Sequence, residues 1–225
     1  MKIENLQFRP AAAVVNPLNQ LIQKAEDAIY AIYKAGRPAY FGYSGGKDSS
    51  IIVDIGFRAA LRAKRDGLEP VVVVGTSRTL VENPEIEAHY ESEHWKMRAY
   101  AARHQLNVRT EIIEPTLAST WQVKVLTGRG LPSFPGSTSD CTTDLKISGQ
   151  IRFRKMLFRA WMEEGRPEPV TVLGVRREES TVRAARMKER GDSASTPVRN
   201  KAGELVLSPI ADWSELDVFA IGKAN

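Results

Sequence analysis

The residues best suited to chemistry gather in one stretch, Tyr40-Phe41-Gly42-Tyr43-Ser44-Gly45-Gly46-Lys47-Asp48-Ser49-Ser50. Gly45 and Gly46 are adjacent, so the backbone can turn with no Cβ in the way and aim successive N–H groups at one anion. Ser44, Ser49 and Ser50 supply hydroxyl donors, Lys47 supplies a point charge, and Asp48 is a candidate ligand for Mg²⁺. Tyr43 stands at the entrance to the turn. Together these groups suit a polyphosphate such as that of ATP. The plain alternative is a solvent-exposed glycine turn.

The flanks of the stretch decide how it is held. Pro38 and the apolar residues after it read as a short strand. Ile51-Ile52-Val53-Asp54-Ile55-Gly56-Phe57 reads as an amphipathic helix running to about Gly67. A strand, a glycine turn and a helix N-terminus follow one another, and the first turn of a helix offers unpaired N–H groups and a partial positive charge. Pro70-Val71-Val72-Val73-Val74-Gly75 has the unbroken apolar pattern of a buried parallel strand, and it ends in the polar loop Thr76 to Glu82. Val108 to Ile113 and Pro169 to Val175 read as the third and fourth strands. Leu205 to Ile210 reads as an edge strand after a polar loop from Gly191 to Gly203.

Helices alternate with these strands. Asn16-Pro17 and Asn83-Pro84 are both helix starts, with Asn as cap and Pro in the first turn. The second of these helices runs to about Gln105 and carries all three histidines. His89 and His94 are five apart and so fall on different faces, which argues against a metal site there. Asp144 to about Glu164 reads as a basic helix, Ser180 opens a helix with Arg183 and Arg186, and Ser214 with Asp217 caps the last one. The pattern predicts a single α/β domain over residues 1–225, a doubly wound, mostly parallel sheet with helices on both faces, preceded by an arm over 1–15. The chain stops less than three turns into its last helix, so a missing C-terminal part is expected. In open sheets of this kind ligands sit beyond the carboxyl ends of the strands. Lys47, Thr76, Gly174, Arg176 and Arg177 therefore come within reach of one nucleotide. The two arginines would offset charge on its α-phosphate; pairing with Glu178 and Glu179 is the competing reading.

Composition narrows the class. The chain has 225 residues, 42% hydrophobic and 26% charged, which suits one globular domain. No apolar run of about 18 residues occurs, so no membrane partner is expected, and the polar N-terminus has no signal core. One cysteine leaves no internal disulfide and no set of ligands for an iron–sulfur cluster; a cytoplasmic protein is the simplest reading. Net charge is +5, and the segment from Arg152 to Arg190 alone holds eleven Lys/Arg against six Glu. That excess fits a polyanion, with Arg152, Arg154, Arg159 and Arg183 as candidate contacts, or else a solvated face laced with ion pairs. Cys141 lies among Ser, Thr and Asp just before the basic helix. Such a setting favours the thiolate, although a lone cysteine is commonly a small buried hydrophobe.

The loop is not of the Walker type, which needs four residues between its first glycine and Gly-Lys-Ser/Thr. Ser44-Gly45-Gly46-Lys47-Asp48-Ser49 instead resembles the signature of the PP-loop ATP pyrophosphatases (adenine nucleotide α-hydrolase-like fold). That family grips the β- and γ-phosphates of ATP and cuts between α and β. Cys141-Thr142-Thr143-Asp144-Leu145-Lys146-Ile147, with Gly128-Arg129-Gly130 upstream, resembles the central motif of the DNA phosphorothioation sulfurtransferases, a group within the phosphoadenosine phosphosulfate (PAPS) reductase-like branch. Gly174 to Ser180 and Pro209 to Val218 are similar to motifs of that branch, and the likeness spans roughly residues 38 to 220.

The resemblance implies ATP with Mg²⁺ as cofactor and DNA as acceptor, the latter contacted by residues such as Arg129 and Lys146. It implies a persulfide on Cys141 loaded by a cysteine desulfurase, and further phosphorothioation subunits as partners. Two departures stand out. Many members of that group carry a cysteine cluster for an iron–sulfur centre, and this chain does not. The Glu-Cys-Gly-type motif of PAPS reductases is absent as well. A PAPS reductase-like enzyme of sulfur assimilation, or a non-catalytic nucleotide- or DNA-binding subunit, are the alternatives.

Overall fold

The computed structural model describes residues 17–129 and 142–224. The arm expected over 1–15 and Cys141 lie outside the described residues. Six strands form one sheet: β1 (Ala39–Gly42), β2 (Val71–Ser77), β3 (Asn107–Ile113), β4 (Val170–Leu173), β5 (Val198–Arg199) and β6 (Leu205–Leu207). Their order is β3-β2-β1-β4-β6-β5, and every pairing is parallel except the antiparallel β5–β6 pair. The doubly wound sheet expected from the sequence is therefore present. Its strand order reverses between β1 and β4, the position where such sheets open a crevice at their carboxyl edge.

One expectation is corrected. Leu205 to Ile210 was expected at the edge, but β6 lies inside, between β4 and β5. The true edge strand is β5, drawn from the segment read as a polar loop. Two residues are too short to show any alternation, so no periodicity marked them.

The helices are α1 (Pro17–Lys34), α2 (Lys47–Arg65), α3 (Pro84–His104), α4 (Trp121–Leu126), α5 (Ser148–Glu163), α6 (Thr181–Arg190) and α7 (Glu215–Ala224). Strand alternation sends Phe41, Val72, Val74, Val170, Val172 and Leu207 to one face. There they pack with Ile29 of α1, Ile52 of α2, Met97 of α3 and Val218 of α7. Tyr40, Val71 and Val73 point the other way, against Leu157 and Trp161 of α5. The basic helix expected from Asp144 starts differently: Thr142–Ile147 is a π-helical turn, and regular α5 begins only at Ser148. Among the described residues no helix is long and apolar enough to cross a membrane.

The capping signals take the form the sequence suggested. Asn83 accepts from the Glu85 N–H at 2.9 Å with Pro84 in the first turn. Ser214 and Asp217 bond reciprocally, Ser214 N–H to Asp217 Oδ2 at 2.9 Å and Asp217 N–H to Ser214 Oγ at 3.1 Å.

The carboxyl ends of β1 and β2 are packed tightly around Tyr40. A Cβ on Gly75 would sit 1.9 Å from the Tyr40 hydroxyl oxygen. Gly75→Ala must push a fully buried ring aside, and overpacking of this kind costs about 1–3 kcal/mol. Urea unfolding of the variant is expected to show a lowered midpoint with an unchanged slope. A wild-type midpoint would mean that Tyr40 relaxes freely and the packing is looser than described.

Candidate functional site

Residues of β1 and α2 shape the glycine loop. Gly45 takes a left-handed φ of +76°, and Gly46 precedes α2 as its N-cap with no side-chain cap bond. The N–H groups of the first turn of α2 are thus left for a ligand. The serines hold the turn from within. Ser49 Oγ accepts from the Ser44 N–H at 3.2 Å and donates to the Gly46 carbonyl at 2.8 Å. Ser44 Oγ lies 3.1 Å from Ser49 Oγ, and Ser50 Oγ donates to the same Gly46 carbonyl at 3.1 Å.

An ion pair ties this loop to β4. Arg176 is only 2% exposed, and its Nε donates to Asp48 Oδ1 at 2.8 Å. Its Nη1 reaches Glu178 Oε2 at 3.4 Å, and Glu178 in turn accepts from the Glu215 N–H at the start of α7. The backbones of the two segments nearly touch: a Cβ on Gly174 would lie 2.8 Å from the Asp48 carbonyl oxygen. Lys47 Nζ is half-exposed, 3.6 Å from Glu215 Oε1 and 5.4 Å from the centre of the Phe219 ring. Arg177 does not join this group. It pairs with Asp212 and donates to the Asp192 carbonyl at 2.5 Å. The sequence favoured the α-phosphate for both arginines over pairing with Glu178 and Glu179; in the structure Arg176 meets Asp48 and Glu178, and Arg177 meets Asp212.

Beside the loop, at the carboxyl ends of β1, β2 and β4, lies a cavity of about 330 Å³. Tyr43, Ser44, Thr76, Lys146 and Arg154 line it, together with Ser77, Tyr90, Gln150 and Leu173. A relay fixes its wall. Tyr40, whose phenol burial pushes well up and keeps protonated, donates to Gln150 Oε1. Gln150 Nε2 donates to Ser77 Oγ at 3.0 Å, and Ser77 Oγ donates to the Lys146 carbonyl at 3.1 Å. Lys146 Nζ is 3.5 Å from Glu82, and Arg154 pairs with Glu204 at 3.2 Å with its guanidinium 5.8 Å from the Tyr40 ring centre. The size suits a nucleoside, at the small end of the range of about 300–1,000 Å³ for ligand pockets.

The remaining basic residues scatter. Arg129 and Arg152 are exposed, and Arg159 pairs with Glu163 on the outer face of α5. Arg183 pairs with Glu179 and lines a second cavity on the far side of Leu173. Among the described residues no group of three or more His, Cys, Asp or Glu converges to hold a metal. Asp48 gives one carboxylate oxygen to Arg176 and has its other 4.0 Å from Lys47. Its carboxylate is therefore already engaged by protein cations, and the described residues offer no preformed metal site beside it.

Several residues here escaped the sequence reading. Gln150 and Ser77 carry no pattern of their own. His94 does: Tyr90, His94, Met97 and Ala101 are the buried residues of α3, at helical spacing. His94 is fully buried and lies 2.7 Å from Thr76 Oγ1, with its ring centre 5.9 Å from that of Tyr43.

No protein-family model and no curated protein sequence matches the chain. Among solved structures, NAD+ synthetase from Burkholderia pseudomallei superposes with a TM-score of 0.50 at 15% identity, covering 93% of this chain and 75% of the other. The chain shares the α/β fold of that synthetase. The U34-tRNA thiolase NcsA from Methanococcus maripaludis, solved with its 4Fe–4S cluster, superposes with a TM-score of 0.46 at 12% identity, over 91% of this chain and 64% of the thiolase.

Burial, with Arg98 nearby, pulls the His94 imidazole down to about 4 from its ordinary 6.5. The folded protein therefore resists a proton that the unfolded chain accepts. Stability from this group is intact above pH 6.5 and drains away as pH falls toward 4, by about 2–3 kcal/mol. Urea midpoints between pH 7 and 4 should fall in the wild type and fall less in His94→Gln. Equal slopes in the two proteins would show that other groups control acid stability.

Proposed function

We propose that this protein is an ATP pyrophosphatase that cuts ATP between its α- and β-phosphates and adenylates a phosphate of DNA for sulfur insertion. One observation carries the reading: the loop Ser44–Ser49 forms an uncapped helix N-terminus at the switch point of the sheet, beside a cavity of nucleoside size. The PP-loop signature that this loop resembles supplies the position of the cut. The fold shared with a structure named as NAD+ synthetase is consistent with that choice.

In this reading the nucleoside enters the cavity and the β- and γ-phosphates lie on the first turn of α2. Lys47 exchanges Glu215 for a phosphate oxygen. An exposed ion pair contributes about 0–1 kcal/mol, and a charge-assisted contact to phosphate about 1.5–3 kcal/mol, so the exchange favours the nucleotide. Mg²⁺, when bound to the phosphates, neutralises part of their charge. Arg176 holds Asp48 and so holds the loop in shape. A non-bridging oxygen of the acceptor phosphate attacks the α-phosphorus, and pyrophosphate leaves.

The sulfur step rests on the resemblance around Cys141. A cysteine desulfurase loads Cys141 as a persulfide, and the terminal sulfur displaces AMP from the activated phosphate. A thiol then splits the remaining S–S bond, supplying two electrons and leaving sulfur on the backbone. The chain just after Cys141 supports this role, since Lys146 and Ile147 line the cavity.

Purified protein with ATP, Mg²⁺ and DNA should release pyrophosphate and leave AMP on the DNA, with free AMP appearing once a cysteine desulfurase and cysteine are added; ADP and orthophosphate would overturn the assignment. Lys47→Ala is expected to lower the rate roughly ten- to a hundredfold, the equivalent of one charge-assisted contact. Cys141→Ser should bind ATP and fail to put labelled sulfur into DNA, because a serine hydroxyl cannot carry a persulfide. Normal labelling by that variant would move the sulfur carrier to another protein.

A further inference from the structure

The carboxyl edge of the sheet holds a second cavity, which the ATP reading does not use. Its volume is about 480 Å³, and Leu173 forms a wall of both cavities. Leu173, Val175, Val198 and Val206 give it an apolar lining, while Arg183, Arg186 and Arg190 of α6 stand over it with Asn200. The three guanidinium groups are not equally engaged. Arg190 forms a two-pronged pair with the buried Asp192, Nε to Oδ1 at 3.1 Å and Nη2 to Oδ2 at 2.6 Å. Arg183 pairs with Glu179, both partners reaching solvent. Arg186 is exposed and has no ion pair among the described residues.

A concave site with aliphatic walls and a rim of arginines matches a compound that is an anion at one end and a flat apolar ring at the other. Guanidinium groups bind phosphate by paired hydrogen bonds and also stack on ring faces. Aliphatic walls give a ring the dry surface that ligand pockets commonly provide. A duplex backbone, by contrast, is met along open basic surface. On α5 Arg154 is committed to Glu204, and the exposed cations Arg152, Lys155 and Arg159 stand on open surface, with Arg152 lining neither cavity.

We infer that this second cavity is the acceptor subsite, binding one nucleotide unit with its phosphate on Arg186 and Arg183 and its base against Val198 and Val206. The inference rests on the reading of Ser44–Ser49 as an ATP cradle, because only then does the neighbouring cavity face an activated phosphorus. Arg183 is free to turn to a phosphate, since a solvent-reaching pair with Glu179 holds it only weakly. Arg190 keeps its partner and orients the end of α6. One unit lodged in a pocket implies an unpaired nucleotide, so a single strand should bind better than the same sequence in duplex form. The shared chemistry is a nucleoside phosphate, whose source is either a nucleic acid strand or a free nucleotide.

The test uses the full chain, with three probes followed by anisotropy or calorimetry: a labelled single-stranded oligodeoxynucleotide, its duplex, and thymidine monophosphate. Arg186→Ala should weaken binding of the single strand or of the mononucleotide roughly ten- to a hundredfold, and Arg186→Lys should recover part of the loss. For a strand, the log–log salt slope should also flatten by about one unit. A loss confined to the oligonucleotide identifies nucleic acid as the source; a loss confined to the mononucleotide identifies a free nucleotide. The inference is overturned if the wild type binds none of the probes, if Arg186→Ala binds all of them as the wild type does, or if duplex is preferred over single strand. Pyrophosphate release from ATP is scored separately in the wild type. Its absence would sink the ATP reading, whereas release with no effect of Arg186 would sink only the acceptor subsite.

Discussion

A buried guanidinium bound to a carboxylate that keeps an edge to solvent holds the site together. Arg176 leaves the end of β4 and meets Asp48 in the first turn of α2, two segments that are 128 residues apart in the chain. Removing Asp48 leaves the buried Arg176 charge with only Glu178 beside it, at a cost below the about 3–5 kcal/mol of a fully buried pair because Asp48 itself touches solvent. The pair therefore fixes how the glycine loop stands against the strand beside it. Gly174 serves the same closeness, since any side chain there would collide with the Asp48 backbone. Through Glu178 the same arginine is linked to the start of α7, whose Glu215 faces Lys47. Loop, strand end and last helix thus form one electrostatic unit around the place where phosphates would lie.

The cavity beside the loop is built on a different principle. Its wall is a series of neutral hydrogen bonds from Tyr40 through Gln150 and Ser77 to the Lys146 carbonyl, with Thr76 and His94 behind. Neutral groups can be buried at low cost when each finds a partner. The Tyr40 phenol, pushed up further by burial, is a neutral donor, and burial holds the His94 imidazole uncharged down to well below neutral pH. Apart from Arg154, which is paired with Glu204, this wall carries no net charge of its own, and the space suited to a nucleoside stays largely apolar.

How much of this was legible follows from the range of each interaction. The glycine loop, the apolar run Val71–Val74 and the Asn83-Pro84 cap are local signals, and each took the expected form; Asn16 lies outside the described residues. The partner of Arg176 was not legible, because residue types do not reveal pairings across 128 positions. The expectation for Arg176 and Arg177 had the right edge of the sheet but could not show that both side chains are committed to protein carboxylates and carbonyls. Likewise the segment after Asp144 read only as a basic helix, and the structure divides its arginines between a cavity wall and the outer surface. The edge strand was missed because two residues cannot display a period. His94 is readable in the stripe Tyr90-His94-Met97 as a buried position of α3.

The pin between Asp48 and Arg176 is best tested by a double-mutant cycle on ATP affinity, measured by calorimetry for the wild type, Asp48→Asn, Arg176→Met and the double variant. If the two residues act as one device that shapes the loop, the second substitution adds little to the loss caused by the first, giving a coupling energy at the upper part of the usual range of about 0.5–3 kcal/mol. Losses that simply add would mean that each residue meets the nucleotide independently, and would contradict the claim that this pair organises the site.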